Sequence, residues 1–187
     1  MNFFSTGKTL GILGGGQLGK MLLYSTRKFD IKTKVLDPSD SAPAKLASDI
    51  FVQGDLTDFQ TVYDFGKDVD VLTIEIEKVN VEALEKLEQE GVTIYPQPQV
   101  LKTIQNKWLQ KKFYIENHIP TSSFEEFDSI NTVKELVLKG NLSYPFVWKS
   151  AEMGYDGYGV SIVHSNKELE EIKPGPCLIE EVVKFKK

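Results

Sequence analysis

The apolar run "TLGIL" breaks directly into "GGGQLG" and then into an amphipathic stretch. That junction limits the folds open to this chain more than any other feature. A buried strand delivered into a glycine turn and then a helix is the opening unit of a parallel βαβ arrangement. The pattern recurs downstream. "TKVLDP" reads as a second strand stopped by Asp37-Pro38, and "SDIFVQGD" as a third, after a short helical piece around Ala44 to Ala47. "DFQTVYDFG" reads as a helix ending at Gly66, and "VDVLTIEIE" as a strand. "NVEALEKLEQEG" predicts a helix with Asn80 as N-cap and Gly91 at its end, and "VTIYP" one more strand. Short strands alternating with helices of about ten residues predict a doubly wound α/β domain on a parallel sheet.

The first helix, Gln17 to Phe29, places Leu18, Met21, Leu22 and Ser25 on one face. A charged amphipathic helix follows the last strand, in "QNKWLQKKFYIENHIPT", with Trp108, Leu109, Lys112 and Phe113 on one side. Pro120 cannot continue it, so the first domain is expected to span residues 1–121 and a second 122–187. The second reads differently. "SFEEF", "YPFVWKS", "VSIVHS" and "PCLIEEVV" are strands, "INTVKELVLKG" and "NKELEEI" helices, and "AEMGYDGYG" a glycine-rich loop. Strands joined by such a loop predict an antiparallel hairpin lid in a small α+β unit.

With 41% apolar and 26% charged residues, the chain has enough apolar material for a core. A net charge of −5 argues against a general nucleic-acid or anionic-membrane surface. The single cysteine, Cys177, allows no internal disulfide framework and reads as a small core residue. His118 and His164 lack partners at metal-ligand spacing and read as structural. No run approaches the roughly 20 apolar residues of a membrane span, and "MNFFSTGK" holds no long apolar stretch. A reducing, cytoplasmic setting is the expectation.

The glycine loop has two readings. Gly14, Gly16 and Gly19 fit G-x-G-x-x-G, and Asp37 lies 23 residues after Gly14, roughly where a dinucleotide site keeps its ribose-binding acid. Taken alone, this favours NAD or FAD, and an NAD-dependent oxidoreductase. Asp37 can equally open an Asp-Pro turn, and Gln17 puts a neutral side chain at the helix mouth. Alternation along "VLTIEIE" puts Thr73, Glu75 and Glu77 on one face. Ligands of open α/β sheets bind beyond the carboxyl ends of the strands, so Glu75 is expected in the same crevice as Gln17, unless the strand is an edge with solvated glutamates. Lys149 sits on a strand before the loop carrying Gly154, Gly157 and Gly159. That loop can cradle phosphates through its N–H groups or simply turn a flexible hairpin. Tyr155 and Asp156 lie at its tip. Glu180 and Glu181 interrupt an apolar strand. Lys107, Lys111 and Lys112 read as a solvated basic face, although one of them could point at a phosphate.

Taken in order, "ILGGGQLGKM", "DVLTIEIEKV", "IQNKWLQKKF", "NHIPT", "VWKS" and "GYDGYG" resemble the ATP-grasp carboxylases of purine biosynthesis, above all the 5-(carboxyamino)imidazole ribonucleotide synthetases. The resemblance implies a Rossmann-like pre-ATP-grasp domain followed by a small ATP-grasp lid subdomain, with a C-terminal ATP-grasp domain missing. It implies that ATP phosphorylates bicarbonate and that the amine of 5-aminoimidazole ribonucleotide captures the carboxyphosphate. By the same resemblance, Lys107 and Lys149 contact ATP phosphates, and Gly154, Gly157 and Gly159 close on the nucleotide. Glu180, Glu181 and Val183 belong to the hinge that reads adenine. Tyr155 and Asp156 approach the aminoimidazole as catalytic residues, while Gly16, Gln17, Leu18 and Glu75 face it as substrate-binding residues. Tyr158 and Val160 depart from the family's basic residue and glutamine. Mg²⁺ ligands are expected in the C-terminal part, so the chain alone is expected to be inactive. A homodimer is expected, with neither nucleic acid nor membrane as partner. A non-catalytic nucleotide-binding domain is the further alternative.

Overall fold

The computed structural model describes residues 7–152 and 159–184. The chain divides into two compact units that part between Lys102 and Thr103. The expected boundary at Thr121 lies within the second unit.

The first unit is built on five parallel strands in the order β3-β2-β1-β4-β5. These are β1 (Thr9–Leu13), β2 (Lys32–Asp37), β3 (Ile50–Gln53), β4 (Val71–Ile74) and β5 (Thr93–Tyr95). Alternation along the strands feeds two cores. Leu13, Leu36 and Leu72 pack against α2 (Phe59–Gly66) and α3 (Val81–Gln89) through Val62, Phe65, Leu84 and Leu87. Ile12 and Val35 face the opposite way, toward Leu23 of α1 (Gln17–Arg27) and Ala44. A sheet covered on both faces requires near-continuous apolar strands, which "GIL" and "KVL" provide. Each fully buried Leu here is worth about 1.5–3 kcal/mol relative to exposure.

The helix starts follow from their caps. Asp58 accepts from the Thr61 N–H, and Asn80 from the Ala83 N–H at 2.8 Å. The α1 start differs, because its N-cap is Gly16 and no side chain of the cap residue closes it. The face of α1 also differs from the expected one. Leu18 and Met21 are exposed, whereas Gly19, Leu23 and Thr26 are buried. The cause is close approach: a β-carbon on Gly19 would stand 2.7 Å from the Gly14 carbonyl oxygen, so the helix lies on its smallest residue. A further helix, α4 (Pro98–Gln105), follows β5, and Pro98 opens it where its missing N–H costs nothing.

The second unit holds α5 (Lys107–Glu116), α6 (Ile130–Leu138), α7 (Asn166–Glu170) and four antiparallel strands in the order β6-β9-β7-β8. The strands are β6 (Phe124–Phe127), β7 (Phe146–Ser150), β8 (Val160–Val163) and β9 (Cys177–Glu180). Phe146, Trp148, Cys177 and Ile179 form one face, packed with Ile130 and Val133 of α6 and Leu169 of α7. Cys177 is a buried core thiol, as its apolar setting predicts. Among the described residues, no helix is long and apolar enough to cross a membrane.

Candidate functional site

Within the first unit, β1 is flanked by β2 on one side and β4 on the other. The chain therefore reverses its direction of travel across the sheet there, and the carboxyl ends of β1 and β4 open the crevice where such sheets take ligands. The Glu75 N–H donates to the Leu13 carbonyl at 2.8 Å, and the Gly14 N–H to Leu36 at 2.9 Å. β4 ends at Ile74, so Glu75 is the first residue of a bend, not a strand residue as its alternation predicts. Its side chain turns into the glycine loop. A β-carbon on Gly14 would lie 2.5 Å from Glu75 Oε2, and one on Gly16 3.0 Å from Oε1. Two of the motif's glycines thus make room for this chain's own carboxylate.

Burial pushes the Glu75 carboxyl above its ordinary range, and the neighbouring Asp37 charge adds to that. Hydrogen bonding to the backbone N–H groups of Gly19 and Gly16 pulls it back only in part. Asp37 is also engaged with backbone. Its Oδ2 accepts from the Gly15 N–H at 2.7 Å and its Oδ1 from the Ser39 N–H at 2.8 Å. The acid that a dinucleotide site would turn toward a ribose thus ties its own turn to the loop. Gln17 and Leu18 are exposed on the first turn of α1, with Gly16 partly covered.

The second unit assembles a charged cluster on the sheet face away from Trp148. Val147 pairs with Glu180 and Lys149 with Leu178, so Lys149 and Glu180 are diagonal neighbours. Lys149 Nζ donates to Glu180 Oε2 at 2.8 Å. The Ser122 hydroxyl donates to the same oxygen at 2.8 Å. Lys111 of α5 reaches Glu180 Oε1 at 3.1 Å. Burial pushes the Glu180 carboxyl up, but Lys149, Ser122 and Lys111 outweigh it and hold it below the usual carboxylate range.

Glu181 is exposed, and its carboxylate accepts from the Ser123 N–H at 3.0 Å. Val183 is also exposed, beyond the end of β9. The start of α5 is fixed by Asn106, whose Oδ1 accepts from the Trp108 and Leu109 N–H groups at 2.9 and 3.1 Å. The Lys107 N–H donates to Ala151 at 2.9 Å, which anchors that start two residues past Lys149. Gly159 has φ +75°, and its carbonyl accepts from the Ser150 N–H at 2.8 Å, closing the base of the glycine-rich loop. Gly154, Tyr155, Asp156, Gly157 and Tyr158 lie outside the described residues. Among the described residues, no group of three or more His, Cys, Asp or Glu side chains is placed to hold a metal ion.

Lys111 and Ser122 are the members of the cluster that reading the sequence missed, Lys111 because it stands in a basic run that looks solvated. A signal was present. Trp108 donates from Nε1 to the Cys177 carbonyl at 3.2 Å, and Lys111, three residues on, shares that inward face.

Comparison with known proteins agrees with both halves of this architecture. The ribonucleotide synthetase preATP-grasp domain matches residues 7–105, and the ATP-grasp domain matches residues 112–187. The phosphoribosylaminoimidazole carboxylase of Candida albicans is 38% identical over 189 residues, covering 96% of this chain and 33% of that protein. The crystal structure of carboxyaminoimidazole ribonucleotide synthase from Aspergillus clavatus complexed with ATP is 37% identical with a TM-score of 0.85, over 96% of this chain and 48% of that one. N5-carboxyaminoimidazole synthase from the same organism, in complex with ADP and 5-aminoimidazole ribonucleotide, is 35% identical with a TM-score of 0.82, over 96% and 47%. The chain therefore spans between about a third and about half of the length of these relatives. The first of the two matches covers more than half of the 187 residues and the whole parallel sheet with its glycine loop, so this chain belongs to the ribonucleotide synthetase preATP-grasp family.

Proposed function

We propose that the protein carrying this chain is an ATP-dependent carbon–nitrogen ligase that carboxylates the amine of 5-aminoimidazole ribonucleotide in purine biosynthesis. ATP transfers its γ-phosphoryl group to bicarbonate, giving ADP and carboxyphosphate. The amine then attacks the carboxyl carbon, the C–O bond to phosphate breaks, and the N-carboxy product and inorganic phosphate leave. Such a reaction depends on positioning and on neutralising phosphate charge.

The observation that carries this reading is the Lys149–Glu180 pair at the end of β9, immediately before the segment 181–184. In this proposal Lys107 and Lys149 hold ATP phosphates, and Gly154, Gly157 and Gly159 close over them. Glu180, Glu181 and Val183 form the adenine-reading hinge. Gly16, Gln17, Leu18 and Glu75 bind the ribonucleotide, and Tyr155 and Asp156 approach its aminoimidazole. Mg²⁺, which would neutralise phosphate charge, belongs to the same proposal, with its ligands in the C-terminal part of the protein. Homodimerisation and a cytoplasmic setting belong to the same proposal. The glycine loop speaks against the alternative, an NAD-dependent oxidoreductase, because the Glu75 carboxylate already takes the Gly19 and Gly16 N–H groups, which a dinucleotide site would turn toward a pyrophosphate.

The test is ADP release by the full protein in the presence of ATP, with 5-aminoimidazole ribonucleotide and bicarbonate supplied or withheld. ADP release that requires both, with the N-carboxy product accumulating, is expected. Release indifferent to the ribonucleotide would refute the reading.

A further inference from the structure

We propose that Lys111 is a positioning residue for Lys149: it offsets the Glu180 carboxylate, so that Lys149 keeps a net positive charge for a nucleotide phosphate. This rests on the nucleotide reading above.

The argument starts from burial. Lys111 is 7% exposed and Glu180 5% exposed, whereas the Lys149 side chain keeps 27% of its surface. Lysine in a helix normally sends its ammonium to water. Here the ammonium donates to Thr121 Oγ1 at 2.6 Å and Ser122 Oγ at 2.9 Å, and it forms an ion pair with Glu180 Oε1 at 3.1 Å, a buried oxygen with no hydrogen-bond partner among the described residues. The Phe124 ring lies 5.3 Å from it. Ser122 links the two sides, accepting from Lys111 and donating to Glu180 Oε2.

Charge arithmetic gives the consequence. Two ammoniums and one carboxylate leave the cluster at +1, and only Lys149 has surface to present that charge. Without Lys111, Lys149 and Glu180 form a neutral pair and the attraction for an anion is lost. A buried ion pair is a poor device for stability alone, since apolar residues of similar volume commonly do as well or better. A second lysine on an already paired carboxylate is explained by the charge it leaves on the first.

The experiment uses the full protein and two titrants, ATP and adenosine, with affinities measured calorimetrically for wild type, Lys111→Met and the double variant Lys111→Met/Glu180→Gln. Lys111→Met is expected to weaken ATP about tenfold while leaving adenosine within about twofold of wild type, because only the phosphate term changes. The double variant restores the +1 on Lys149; whatever Glu180→Gln does to adenine binding is common to both titrants, so the ratio of ATP to adenosine affinity is expected to return to within about twofold of wild type. Should Lys111→Met weaken ATP and adenosine alike, leave ATP unchanged, or lower an ATP-to-adenosine affinity ratio that the double variant does not recover, the positioning role is overturned. A wild-type protein that binds adenosine and ATP equally overturns it too. Binding of neither titrant by wild type removes the nucleotide reading itself, and this inference with it.

Discussion

Glu75 Oε2 lies 2.5 Å from the point a β-carbon on Gly14 would occupy. The first glycine of the loop is therefore fitted to a side chain of the next strand's end. Gly14 also holds φ +103°, a conformation that L residues adopt only with strain. Gly14→Ala should destabilise the first unit by on the order of 3 kcal/mol, from backbone strain plus the clash. Adding Glu75→Ala should recover the steric part only. Urea denaturation of both variants measures this, and a Gly14→Ala protein as stable as wild type would remove the account.

Asp37 makes a separate prediction. Its two carboxylate oxygens serve the Gly15 and Ser39 N–H groups. Asp37→Ala strips both and should cost about 2 kcal/mol of stability. A dinucleotide site predicts the opposite emphasis: little loss of stability and a large loss of cofactor affinity. Titration with NADH is expected to give no fluorescence enhancement in wild type, and saturable enhancement would show that the loop accepts a pyrophosphate after all.

The contrast between Asp37 and Lys111 shows what sequence could convey. Apolar period, glycines and caps specified the parallel sheet and most of the helices, because those signals are local. Asp37 was ambiguous, since the same residue type opens a turn or holds a ribose, and only the 2.7 Å contact to Gly15 decides. Lys111 reads as solvated from sequence because charge usually is, and its burial depends on β6 and β9 packing beside α5. The exposed Leu18 and Met21 misled for a similar reason: close approach at Gly19 turns α1 by its smallest residue, against the apolar count. No element is read from the sequence between "VTIYP" and "QNKWLQKKF", where Pro98 begins α4.

Acid stability separates Glu180 and Glu75 by sign. The Glu180 carboxyl is held below its ordinary value of 4.5. Its contribution to stability is complete above that value and is lost as pH falls through the folded-state value. The Glu75 carboxyl is held above 4.5. There the folded protein keeps a proton that the unfolded chain has released, so stability declines as pH rises from 4.5 through the folded-state value. Unfolding free energies between about pH 3 and about pH 7 should show Glu180→Gln flattening the acid limb, and Glu75→Gln removing the loss on the rising side. Two variants that shift the profile in the same direction would contradict these environments.

Gln17 separates the ribonucleotide from the nucleotide. Its side chain is exposed on the first turn of α1, where the helix dipole favours polar or anionic groups. Since it is exposed, Gln17→Ala should change stability by less than about 0.5 kcal/mol. In the full protein the same change should raise KM for 5-aminoimidazole ribonucleotide about tenfold, the cost of roughly one lost hydrogen bond to substrate, with KM for ATP within about twofold. Glu75 is a poorer probe of this point, because replacing it also empties the glycine loop. If Gln17→Ala raises KM for ATP and leaves that for the ribonucleotide untouched, the glycine loop serves the nucleotide, and the assignment of Gly16, Gln17 and Leu18 to the ribonucleotide is wrong.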